Sequence, residues 1–122
     1  MPAHRNIAVV IALAAGAAAL TTAAFASGPR LSDSQYIAAA HCQGLFNAHT
    51  LGAADSSSIN ALMKVEGAYR TPDVLDRADE VRSQAMNQAS HAGPGVRSEL
   101  VSERDGACQT WAKVADTQSV GR

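Results

Sequence analysis

Two cysteines, Cys42 and Cys108, are the only ones in this 122-residue chain, and their placement constrains the fold more than any other feature. With two cysteines only one intramolecular bridge is possible. If they are joined, whatever segments carry them must be neighbours in space. A loop of about 67 residues closed in this way stabilises a fold by roughly 4 kcal/mol in the chain-entropy model. That is comparable with the whole net stability of a small domain.

Whether a bridge forms depends on the compartment, and the first residues address that. His4-Arg5-Asn6 is a short positive flank, Ile7 to Leu20 is uncharged and apolar, and Ala24-Phe25-Ala26 has the small-x-small pattern of a signal peptidase site. The reading is a signal peptide over 1–26 and a mature chain from Ser27. The apolar run is mostly Ala, which contributes little transfer energy, so a cleaved leader is favoured over a retained anchor. No stable membrane insertion is expected after cleavage. A periplasmic or secreted chain lies in oxidising surroundings, where a Cys42–Cys108 disulfide is the simplest outcome.

Residues 27–122 suffice for a single small domain. Arg5 leaves with the leader, so ten Lys and Arg become nine against eleven Asp and Glu, a net charge of −2 with His neutral. The charges are interspersed, which gives no electrostatic footprint for nucleic acid.

Apolar spacing predicts helices throughout. Over Leu31 to Leu51, Ile37, Ala38, Cys42, Leu45, Ala48 and Leu51 form a stripe. Ser32 and Gln35 form a capping box at its start, Leu31 and Tyr36 a hydrophobic staple, and Gly52 closes its end. A second helix follows the Asp55-Ser-Ser-Ser58 turn with Ile59, Leu62, Met63 and Tyr69 to about Arg70, weakened by Gly67. Thr71-Pro72-Asp73 restarts a third, expected to run to about His91 with Leu75, Ala78, Val81 or Arg82, Ala85 and Ala89 inward. Gly93-Pro94-Gly95 stops it.

A fourth segment from Val96 to about Asp116 carries Val96, Leu100, Ala107, Cys108, Trp111 and Ala115 on one face, with a kink possible at Arg104-Asp105-Gly106 and a frayed tail from Thr117. No stretch alternates as a strand does. The expected fold is all-α, a small up-and-down bundle of about four helices stapled by one disulfide, with the first and last helices adjacent. The mature chain carries 15 Ala, which permits close backbones but leaves a thin core.

No motif adds chemistry. Cys108-Gln-Thr-Trp111 is neither Cys-x-x-Cys nor a haem attachment sequence, and Trp111 reads as an aromatic plug against the disulfide. His41 and His49 stand eight residues apart, about 12 Å of helix rise, too far to share a metal. His91 lies at a helix end, and no acid is placed by the sequence to orient any of the three. Asp73, Asp76, Asp79 and Glu80 complement a helix N-terminus, with Asp73 and Arg77 as an i, i+4 pair. Glu99 and Glu103 read as a solvated face.

No catalytic, cofactor or metal residues are therefore assigned, and the chain reads as no enzyme. The expectation is a non-catalytic interaction or envelope stress-related protein whose partner is an unknown protein or small ligand. The alternative is a small-ligand or metal carrier that uses the bundle core or the histidines.

Overall fold

The computed structural model describes residues 30–120, and the leader and cleavage site lie outside the described residues. Over the described residues the protein is an all-α bundle: α1 (Asp33–Asn47), a 3-10 turn (His49–Leu51), α2 (Ser57–Gly67), α3 (Pro72–His91), α4 (Pro94–Asp105) and α5 (Gln109–Val120). This is the small disulfide-stapled helical bundle that the periodicity predicts.

At the start of α1 the capping box is complete. Ser32 Oγ accepts from Gln35 N at 3.1 Å and Gln35 Oε1 accepts from Ser32 N at 2.8 Å, so two N–H groups at the helix start are satisfied. The helix ends at Asn47, short of the expected Leu51. Ala48 is extended, and the 3-10 turn swings Leu51 into the core before Gly52, at φ 90°, reverses the chain. Only glycine takes that φ without a steric penalty.

Helix α1 is the centre of the bundle, with Tyr36, Ala39, Ala40, Cys42, Leu45 and Phe46 all buried. Its largest interface is with α3, where Ala78, Ala85 and Ala89 are buried. Gly44 is what brings the two backbones together. A Cβ there would stand 2.6 Å from Arg82 O and 2.8 Å from the Ala85 Cβ, inside van der Waals contact, so any side chain would push the helices apart.

A smaller core lies on the other side. Leu31, Leu62, Val114 and Ala115 form it, and Trp111 packs against both this cluster and the larger one around the disulfide. The expected Leu31–Tyr36 staple is thus divided: both residues are buried, but Leu31 joins α2 and α5 while Tyr36 joins the main core.

The expected fourth helix is two. Gly106 N bonds to Ser102 O at 2.9 Å and Cys108 N reaches back to Glu103 O at 3.0 Å, so α4 closes before α5 begins at Gln109. The break lets Cys108 turn fully inward while Ala107 and Val96, expected on the inner face, stay exposed.

Further boundaries differ from expectation for local reasons. Helix α2 stops at Gly67 rather than about Arg70, because Gly is a poor helix former. Gly93 and Pro94 terminate α3 and at once start α4, Gly93 as N-cap and Pro94 in its first turn. Thr71 stands at the N-cap of α3 without a side-chain capping bond. The tail expected to fray from Thr117 stays helical to Val120, because Val114 and Ala115 anchor it on Leu31 and Leu62.

Candidate functional site

The Cys42–Cys108 disulfide is present, with Cα atoms 5.4 Å apart and both residues buried. It ties the middle of α1 to the α4–α5 turn. The adjacency of first and last segments therefore holds, though Cys108 lies in the turn and not at mid-helix.

Sequence reasoning misplaced the histidines' partners. His41 Nε2 lies 2.7 Å from Glu103 Oε2, both side chains partly exposed. An acid does orient His41, and Glu103 is not merely a solvated residue. Helix α4 brings the two together because it packs beside α1 just outside the disulfide, a proximity that linear spacing does not reveal. His49 is exposed on the 3-10 turn, and His91 Nδ1 lies 2.9 Å from Asn87 O within its own helix. The acids of α3 also pair differently from expectation: Arg77 meets Glu80 at 3.4 Å in place of Asp73, and Arg82 meets Asp79. Among the described residues no three His, Cys, Asp or Glu side chains gather as a metal site would need.

Two buried charges were missed. Glu66 is completely buried, where its carboxylate accepts from Leu31 N at 3.0 Å, Arg70 Nη2 at 3.0 Å, Gln118 Nε2 at 3.3 Å and Arg30 Nη1 at 3.4 Å. Arg70 also donates to Leu31 O at 2.6 Å and to Asp33 Oδ1 at 2.8 Å. Arg30 stacks 3.4 Å from the Tyr69 ring centroid. The network joins the entering chain to the end of α2 and the last turns of α5.

At the opposite end Arg104 is 6 % exposed. Its Nη1 donates to the carbonyls of Leu51 and Gly52, each at 3.2 Å, and its Nε to Asp105 Oδ1 at 2.9 Å. The guanidinium thereby satisfies the carbonyls that the 3-10 turn leaves unpaired. The signal for both residues was available: Glu66 continues the Ile59, Leu62, Met63 stripe and Arg104 follows Leu100 by four, so each charge occupies an inward position.

A third polar group joins α1 to α2. Asn60 Oδ1 accepts from Gln43 Nε2 at 3.0 Å and Asn47 Nδ2 at 2.9 Å, and Gln43 Oε1 is buried without a partner among the described residues. These amides fix the angle between the two helices.

Beside Arg104 the surface opens into a cleft of about 370 Å³ between the start of α2 and the α4–α5 turn. Its surface is mainly polar, from Asp55, Ser58, Arg104, Asp105 and Gln109, with Ala53, Ala54, Ala112 and an edge of the buried Phe46 between them. Hydrogen bonds from the Ser57 hydroxyl and backbone hold the Asp55 carboxyl below the usual range, and the bond from Arg104 does the same for Asp105. Both are carboxylates at neutral pH. No helix among the described residues is long and apolar enough to cross a membrane. Compared with family models, with curated proteins and with solved structures, the chain finds no match in any of the three, so its residues alone carry the functional reading.

Proposed function

We propose that this is a small exported, non-catalytic protein that acts by presenting a rigid surface to a partner protein in a periplasmic or extracellular space. The observation that carries the reading is the use made of its buried polar groups. Glu66, Arg70 and Arg104 each spend their hydrogen bonds on helix ends and entering backbone, and the cysteines are consumed in a bridge. These buried charges are committed to holding a thin, Ala-rich bundle in one shape. A disulfide spanning most of the chain supports residence in an oxidising compartment. The leader-like start supports export through a signal peptidase.

Chemical cross-linking in the native compartment tests this, followed by intact-mass analysis of the recovered protein. The expected species starts at Ser27 and carries a discrete cross-linked protein. Recovery of a chain still bearing residues 1–26 would defeat the export assignment. A stoichiometric metal or chromophore that leaves on His41→Gln substitution would replace the interaction reading with the carrier one.

A further inference from the structure

Helix α4 is held to the bundle by little besides the bridge at its C-terminal end. Of its 12 residues only Leu100 and Arg104 are buried, with Val101 packed partly against the main core. Arg104 docks through the carbonyls of Leu51 and Gly52, and Glu103 through its partly exposed pair with His41, a surface contact of small worth. Gly93 and Gly95 stand at one end with open space beside them and Gly106 at the other, so small residues able to serve as hinges flank the helix. One buried leucine gains too little from packing to offset the ordering of 12 residues. The neighbouring helices have their own fastenings. Helix α5 is tied to α2 and the entering chain by Val114 and Ala115 on Leu31 and Leu62, by Ser58 Oγ donating to Asp116 Oδ1 at 3.0 Å and by Gln118 Nε2 donating to Glu66 at 3.3 Å. Helices α1 and α3 meet at Gly44, and α1 and α2 through Gln43, Asn47 and Asn60.

We propose that the Cys42–Cys108 bridge works as a redox latch on α4: a dithiol reductant opens it, α4 swings out between its glycine ends, and the Cys42 face of α1 is uncovered while the other four helices stay packed. In the exchange the Sγ–Sγ bond breaks and each cysteine sulfur ends as a thiol, while the dithiol gives up two electrons and two protons and closes its own disulfide. Both cysteines are buried in the closed form. Cys108 nevertheless follows the exposed Asp105, Gly106 and Ala107, so opening that turn alone brings a reductant to the sulfurs. Once α4 leaves, the Leu51 and Gly52 carbonyls exchange Arg104 for water, and the seat of Leu100 on the main core becomes an apolar surface that the oxidised protein does not show. The redox state then sets which face the bundle presents.

Hydrogen–deuterium exchange of the mature protein, read by peptide mass before and after dithiothreitol, tests the latch. Amides of residues 96–108 should exchange roughly a hundred-fold faster once the bridge is open, the scale on which a lost cross-link shifts a local opening, while those of α1 and α3 keep their slow exchange. Iodoacetamide should label both thiols of the reduced protein under the same conditions. The Cys42→Ala, Cys108→Ala double variant should give the reduced pattern with no reductant present, and oxidised glutathione should restore slow exchange to the reduced parent. Loss of protection in every helix at once would overturn the latch and make the bridge a staple for the whole bundle. Slow exchange retained by α4 after reduction, or in the double variant, would overturn it from the other side, since packing alone would then hold the helix. An α4 that oxidised glutathione does not bring back would overturn the reversibility on which a switch depends.

Discussion

The seam between α1 and α3 and the seam between α2 and α5 are held by opposite means. At α1–α3 there is almost no side-chain volume: Ala39, Ala40, Ala78, Ala85 and Ala89 are at most 1 % exposed, and Gly44 lies against the carbonyl of Arg82. At α2–α5 four apolar residues form a small cluster beside a buried carboxylate with four donors. The first seam is specified by shape, since small residues leave no choice of separation. The second is specified by polar satisfaction, because a buried charge left unpaired costs several kcal/mol. A thin core can thus be made unique either by removing atoms or by making one polar arrangement obligatory.

The largest expected effect is on the bridge that backs the shape-specified side. Replacing Cys42 and Cys108 together with Ala should lower stability by about 4 kcal/mol, read as a urea midpoint against the oxidised protein. A change below about 1 kcal/mol would mean that helix packing alone holds α1 to the α4–α5 turn. Next comes Glu66→Gln, which keeps the volume but removes the charge opposite Arg70. A loss of about 3 kcal/mol is expected, and an unchanged midpoint would show that polar satisfaction does not specify the second seam.

Gly44→Ala should cost about 1–2 kcal/mol, overpacking outweighing the better helix propensity of Ala. Stabilisation instead would mean that the seam is looser than its geometry. The smallest effect concerns Tyr36, whose hydroxyl has its pKa raised above the ordinary 10.0, chiefly by burial. A folded-state pKa above the unfolded one gives stability that is full below pH 10 and lost as pH rises through the folded value. Melting temperature should therefore fall above pH 10 in the parent and fall less in Tyr36→Phe. Parallel alkaline profiles would place the sensitivity elsewhere.

Helix positions were legible because caps and apolar spacing are local. Ser32 with Gln35 and Pro72 act as read, and α3 spans the residues expected, while Gly52 closes the 3-10 turn in place of the helix. The break at 106–108 was readable only as a possible kink, since whether Gly106 bends or divides a helix depends on where Cys108 must point. Likewise the stripe could mark Glu66 and Arg104 as inward but could not supply their partners: Leu31, Arg30 and Gln118 for one, Leu51 and Gly52 for the other.

By itself, then, the sequence determined the helical class, the start of α1, both ends of α3 and the one bridge its cysteines permit, all consequences of backbone chemistry within a few residues or of there being only two thiols. Tertiary structure alone decided the pairing of His41 with Glu103, the close approach at Gly44 and the mainly polar cleft at Asp55, Asp105 and Gln109. Those depend on groups tens of residues apart meeting at 3 Å scale, and a one-dimensional pattern records which face a residue occupies but not what stands opposite it.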